Sequence, residues 1–567
     1  MLNHERKENM KKFLLTISVL SFPILVHAAS LTQLEGSFKV GPAIILIAML
    51  ITFVAVGVIH RAKDTTDYYA AGRKISVVSS GMAIASNWMS AASFLGMAGM
   101  MYGFGYNGLA YVVGWTGGYV LLMVLMAGQI RKYGKFTAPD FIGDRYYSQG
   151  LRGVSAVFTI LISFAYCVGQ FGGVGLMFKW ILGINYFWSV ILGGSVVILY
   201  TMLSGMIGAT KNMVIQYIII ITAFLIPTFL LTYKFDYFWL LPQFGYGTIV
   251  SDIVRGIPAP NLADGVALLN AYGHNVAMTA SPEFAMPWDP STGSTAFQWY
   301  AICFSLMVGT AGLPHVLQRF YVTPTIRDAR LSCVWGLFFI SLLYWSAPVY
   351  SAFGKILSSS PEVGNLASDA IVVYTAQLGD INPLIVGLLA AGAVSAAFST
   401  ISGLLVAGSS AFSHDIYVKI INPKASPKMQ LNVARTGLVF MGVIVSGVAL
   451  MNLGMIAQLV SVAFSMAACT IFPLFLLGIW WSGSNKAGAT AGMSVGIAIS
   501  LFSLTYFIVE KSGGMLPGHE FVSYWLNVWY FAWIGAPLAI LTNVLVSLVT
   551  KPTPIEIRKF LIEKVHN

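Results

Sequence analysis

Two apolar stretches carry an unusual load of small, oxygen-bearing residues. In LLAAGAVSAAFSTISGLLVAGSSAF (388–412), Ala396, Ser399 and Thr400 stand at i, i+3 and i+4, so a helix puts them on one face. In GMAIASNWMSAASFLGMAGMMY (81–102), Ser86, Asn87, Ser90 and Ser93 crowd the centre, with Gly81, Gly96 and Gly99 towards the ends. About 20 residues at roughly 1.5 Å each cross a hydrocarbon core about 30 Å thick, so either stretch can span a bilayer. A weakened helix survives in lipid only where it lines a cavity or packs on protein. If 81–102 breaks near its middle, backbone carbonyls between Ser86 and Met89 come free at the depth of Ala396, Ser399 and Thr400. Two hydroxyls and a carbonyl then face two carbonyls, an uncharged oxygen cage that suits a hard cation such as sodium. The same residues admit a plainer reading. Small side chains let helices approach, and Ser and Thr often bond back to their own helix.

What positions these residues is a membrane protein. The 567-residue chain is 57% hydrophobic and 9% charged, with a mean hydropathy of +0.77, values of a polytopic chain whose partner is the lipid bilayer. Its net charge of +11 could suggest nucleic acid, but the basic residues sit in short clusters between apolar runs. Topology explains them better, and no nucleic-acid partner is expected. Cys167, Cys303, Cys333 and Cys469 all fall in apolar segments without metal-ligand spacing. With no nucleotide motif, activated nucleophile or metal cluster, an enzyme is not expected, nor a cofactor beyond a coupling ion.

Residues 1–29 read as a signal peptide: basic start, apolar run, small-residue cleavage site. About 13 spans follow, near 40–60, 78–102, 108–129, 153–180, 186–205, 213–234, 297–315, 331–352, 383–412, 432–452, 456–480, 487–510 and 525–549. With the mature N-terminus outside and the C-terminus inside, Lys and Arg concentrate in the inner loops, the asymmetry of a bacterial inner-membrane protein. Residues 30–77 hold the first helix and an inner loop, 78–235 a five-helix unit, 236–296 an outer loop, 297–480 a second five-helix unit, and 481–567 two peripheral helices and a short tail. A short helix at 366–377 is expected in the other long outer connection.

No acidic residue and no Arg or Lys falls at mid-depth by these boundaries, which argues against a carboxylate relay. The seventh span runs into MVGTAGLPH (307–315), a second Gly/Pro-interrupted helix. The second and seventh spans each lead a set of five, and an odd number inverts one set against the other. Corresponding breaks in inverted halves point to a transport site.

The motifs SNWMSAASFLG (86–96), RKYGKFTAPDFIGDRYY (131–147), VGTAGLPHVLQRF (308–320) and STISGLLVAGSSAFSHDIY (399–417) resemble the sodium:solute symporter family, nearest its acetate/monocarboxylate permease branch. The resemblance covers about residues 40–550. It implies an all-α polytopic fold with a five-plus-five inverted core like the leucine transporter, and sodium-coupled symport of a small monocarboxylate by alternating access. It also implies one sodium held by the carbonyls of Ser86, Met89 and Ala396 and the hydroxyls of Ser399 and Thr400. Some relatives hold a second sodium with an Asp and a further Ser, where this chain has Met213 and Gly403. Another solute (proline, pantothenate or a sugar), a transporter-like sensor, and a small membrane subunit as partner remain open. For the solute, Asn87, Ser90, Gln170, Thr310 and Gly312 are candidate contacts near the two breaks, with Trp88 and Phe94 as walls. Asp140 and Asp415 are expected to meet Arg or Lys at an inner gate, while His315 and His414 lie at inner span ends.

Overall fold

The computed structural model describes residues 38–235, 242, 295–357, 368–514 and 517–566. The segment read as a signal peptide and nearly all of the 236–296 loop lie outside the described residues. Among the described residues, nine helices are long and apolar enough to cross a membrane, or up to eleven with each bent pair as one span.

The membrane helices are α1 (Val40–Ile59), a broken pair α2 (Val77–Trp88) and α3 (Met97–Phe104), α4 (Leu109–Leu125), α6 (Gln149–Leu182), α7 (Tyr186–Lys234), α8 (Ala296–Gly312), α9 (Ile326–Leu357), α11 (Pro383–Ser410), α12 (Pro427–Ala449), α13 (Ile456–Trp480), α14 (Lys486–Lys511) and α15 (Ala532–Val549). Two shorter helices matter: α5 (Ala138–Arg145) before α6 and α10 (Ile371–Leu378) before α11. The last was expected at 366–377, and a 3-10 turn at Ser368–Ala370 leads into it.

The count differs from the sequence expectation for a physical reason. Helix α7 has 49 residues, about 74 Å at roughly 1.5 Å per residue, more than twice the hydrocarbon core. It is the expected spans 186–205 and 213–234 joined without a loop. At Gly205 the backbone turns to φ 56° and ψ −149°, a region open to glycine and strained for other residues. A Cβ there would lie 2.5 Å from Tyr68 Cδ2. Counting α7 as two spans and adding the broken α2–α3 stretch and the two bent pairs recovers the whole expected set.

Burial separates centre from rim. The most apolar windows of the α11 and α13 segments are 83% and 89% buried, against 33% for α1, α14 and α15. The central helices are therefore protein-facing all round, which is why their polar residues are tolerated. Helix α11 packs against α6 and α7, and α13 against α6 and α8. Where α5 starts, Thr137 accepts a hydrogen bond from the Asp140 amide and Pro139 occupies the first turn, the chemistry of a capped helix start.

Candidate functional site

Helix α2 stops at Trp88, in the middle of its span. Met89 leaves the helix (φ −69°, ψ 66°), and the chain resumes through a π-turn at Ala92–Gly96 into α3. The break lies against the middle of α11. Ser399 Oγ donates to the Ser86 carbonyl at 2.6 Å and also reaches the Ala396 carbonyl at 2.8 Å. Thr400 Oγ1 donates to the Asn87 carbonyl at 2.9 Å and reaches Ala396 O at 3.2 Å. Ser86, Ala396, Ser399 and Thr400, expected together from sequence, thus do meet, and all are buried. Both readings of the hydroxyls hold at once, since each bonds back to α11 and across to α2. Neither hydroxyl bonds to Met89, the remaining member of the expected set.

The candidate solute contacts divide. The Ala91 amide, just past the break, donates to Gln170 Oε1 at 2.7 Å, and Gln170 Nε2 has no partner. Ser90 Oγ accepts from the Ser93 amide at 3.4 Å. Asn87 Nδ2 is buried without a partner. All three stay at the break, and Gln170 and Asn87 have polar capacity to spare. Thr310 and Gly312 do not. Thr310 Oγ1 bonds back to Leu306 O at 2.7 Å, and a Cβ on Gly312 would sit 2.5 Å from Ala467 O, so this glycine permits α8 to pack on α13. The bend after α8 is real, at 49° between Ala296–Gly312 and Pro314–Val322.

Aromatic rings enclose the α2 break. Trp88 meets Tyr119 at 4.6 Å and Phe464 at 5.6 Å between ring centroids. Tyr166 meets Phe464 and His315, and Tyr344 binds Ser93 Oγ at 2.8 Å. Phe94 turns away, onto Phe224 at 4.8 Å. Of the two walls expected from sequence, Trp88 faces the break and Phe94 packs the π-turn onto α7. The other rings come from spans whose sequence is uniformly apolar, so no periodic signal singled them out.

The family model for the Sodium:solute symporter family matches residues 68–496. This chain belongs to that family. An uncharacterised symporter of Cupriavidus necator is 30% identical, the match covering 89% of this chain and 91% of that protein. A protein of Corynebacterium glutamicum named a monocarboxylic acid transporter is 29% identical over 92% of this chain and 94% of that one. An outward-open, substrate-bound sodium-coupled sialic acid symporter shares the fold, with TM-score 0.67 at 18% identity over 91% of this chain and 99% of that one. The symporter is therefore a multi-pass membrane protein with the leucine-transporter-like architecture, a sodium-coupled carrier of a solute and not an enzyme.

One end of the symporter is tied by charge. Arg152 reaches Asp140 Oδ1 at 2.8 Å, Asp144 Oδ1 at 2.7 Å and Asp415 Oδ1 at 3.8 Å. His414 Nε2 meets Asp140 Oδ2 at 2.9 Å, and Thr137 Oγ1 donates to Asp415 at 2.7 Å. Asp140, His414 and Asp415 place ligand atoms within 4.8 Å of one another, a grouping the sequence did not reveal as a cluster. The Arg152 guanidinium already fills it, so it reads as an ion-pair lock between α5, α6 and the end of the α11 segment. Burial alone would push the Asp140 carboxyl up, but His414, Arg152 and Lys135 outweigh it and hold it down at about 2.

One expectation fails outright. The sequence boundaries place no Arg or Lys at mid-depth. The bend after α8 instead draws Arg319 inward until it is 1% exposed, with Nη2 3.4 Å from Asn87 Oδ1 at the level of the α2 break.

Proposed function

We propose that this symporter moves one sodium ion with one small monocarboxylate by alternating access, in a bacterial inner membrane with the mature N-terminus outside and the C-terminus inside. The observation that carries the proposal is the neutral oxygen cluster of Ser86, Ala396, Ser399 and Thr400, where a helix break meets an unbroken helix. Hydroxyl hydrogens now point at backbone carbonyls. Rotating them away would turn the oxygen lone pairs to an incoming ion and leave the Ser86, Met89 and Ala396 carbonyls as its other ligands. No carboxylate takes part, so the ion is held without a formal counter-charge and is free to leave.

The name of the Corynebacterium relative supports the monocarboxylate, as does an uncompensated positive residue beside the site. Asn87, Ser90 and Gln170 are the favoured solute contacts, since each sits at the break. One cation moving with one anion is electroneutral, so a membrane potential worth about 2.3 kcal/mol per charge per 100 mV contributes nothing.

Reconstituted protein should take up labelled acetate or propionate only with an inward sodium gradient. An inside-negative potential should leave the rate unchanged, and strong stimulation would mean a second cation. Uptake of proline, pantothenate or a sugar in place of monocarboxylates would reassign the solute while keeping the sodium cluster.

A further inference from the structure

Arg319 is a fully buried guanidinium whose contacts are all neutral. Nη1 reaches Thr210 Oγ1 at 3.2 Å and Met206 Sδ at 3.4 Å, Nη2 reaches Asn87 Oδ1 at 3.4 Å, and Nε has no partner. No ion pair to Arg319 occurs among the described residues. A buried charge is normally paired because leaving water is costly, and a lone one calls for an explanation.

Its position supplies one. The Asn87 side chain touches the guanidinium, while the Asn87 backbone carbonyl accepts the Thr400 hydroxyl of the oxygen cluster. The fixed charge is thus one side chain away from the proposed sodium. It lies on the side leading along α11 towards the Asp140–Asp415 lock. Gly403, one turn past the cluster, keeps room for it, since a Cβ there would lie 2.1 Å from Asn87 Oδ1 and 3.0 Å from Arg319 Nη2. The nearby residue 213 brings no acid either, because Met213 is packed with Ala83 and Ala209. Around Arg319, buried polar atoms of Asn87 (Nδ2), Tyr119 (Oη) and His315 (both ring nitrogens) also lack partners, which marks a polar space rather than a finished apolar core.

We propose that Arg319 makes sodium occupancy conditional on the anion. This rests on the monocarboxylate reading above and goes beyond it by naming the residue that enforces coupling. With the solute absent, sodium enters a region that already holds one uncompensated positive charge, and the repulsion weakens its binding by about tenfold or more at the effective dielectric of a protein interior. A carboxylate entering at the Asn87–Ser90 break offsets both cations together. The ion and the anion therefore bind as a pair, sodium alone does not accumulate in the cluster, and the carrier does not leak sodium when solute is missing.

The test is sodium binding and sodium flux by the full-length protein in proteoliposomes, with propionate as the probe anion. Wild-type protein should bind radioactive sodium weakly without solute and about tenfold or more tightly with propionate. Arg319→Met should bind sodium about tenfold more tightly without solute, lose most of the propionate effect and pass sodium without anion. Arg319→Lys should keep the weak solute-free binding, a rescue by charge that a merely structural role does not predict. Arg319→Gln, which keeps hydrogen-bonding capacity but removes the charge, should tighten solute-free binding like Arg319→Met and decides the matter if the Met variant does not fold. Unchanged or weaker solute-free sodium affinity in a folded Arg319→Met protein, or a Lys variant matching Met, overturns the proposal. If wild-type sodium binding ignores propionate but responds to an uncharged or zwitterionic solute, the monocarboxylate reading falls. The role of Arg319 is then still judged on the solute-free affinities.

Discussion

The oxygen cluster between α2 and α11 and the lock around Asp140 are both buried and polar, yet they use opposite chemistries. At the first, hydroxyls meet carbonyls and no formal charge is present among the contacts. At the second, Arg152 and His414 meet three carboxylates. Neutral oxygens hold an ion loosely enough to release it, whereas a broken buried ion pair leaves an unpaired charge at a cost of about 3–5 kcal/mol. The difference matches two tasks, exchanging a ligand in one place and holding helices together in the other.

The comparison can be broken at either end. Ser399→Ala with Thr400→Val removes two hydroxyl ligands, each worth about 1.5–3 kcal/mol to a charged partner. Sodium-stimulated uptake should fall by about 100-fold or more while thermal stability changes little. Intact sodium stimulation in this double variant would remove the cluster from the mechanism. Arg152→Met should do the reverse, lowering stability by about 3 kcal/mol or more in a melt of the purified protein, because Asp140 and Asp415 lose their cation.

Acidity sharpens the contrast further. The folded Asp140 carboxyl, at about 2, lies below its ordinary value of 3.8. Its contribution is therefore complete above the ordinary value and disappears as pH falls towards about 2, so the part of the lock's stability that Asp140 supplies should be constant between pH 5 and 8. Asp369 at the opposite end behaves with the other sign. Its Oδ2 accepts the Ile456 amide at the start of α13, while its Oδ1 is sealed off without a partner. Burial pushes this carboxyl up from 3.8 to about 6. Its stabilising effect is complete below the ordinary value and is lost as pH rises through about 6. Hydrogen exchange of residues 368–378 should accordingly be about tenfold slower, after correction for intrinsic rates, at pH 5 than at pH 7.5. Lys135→Gln removes a half-exposed bridge to Asp144 and should cost no more than about 1 kcal/mol, the smallest effect of the series.

Much of this was legible in the sequence where spacing and breakers carry the information. Hydroxyls at i+3 and i+4 from Ala396 had to share a face of α11, and Ser-, Asn- and Gly-rich residues within one span foretold the break after Trp88. Arg319 was not legible. A basic residue five positions after Pro314 looks like an ordinary inner-end cation, and only the direction taken by the chain after α8 carries it inward. Thr310 and Gly312 are ambiguous for the converse reason. A threonine satisfied by its own helix and a glycine required by a neighbouring carbonyl have the same spelling as solute contacts. Tyr119, Tyr166 and Phe464 gave no sign because a ring facing a cavity and a ring facing lipid are written alike.

Helix α7 turns at Gly205 with no slack on either side, and Met206 and Thr210, in the turn that follows, touch Arg319. A hinge pin set beside a charged plug means that any swing of one arm of α7 must be felt by the guanidinium at once. A bulkier residue at 205 would jam that pin against Tyr68, freezing the carrier's cycle without altering a single ion ligand.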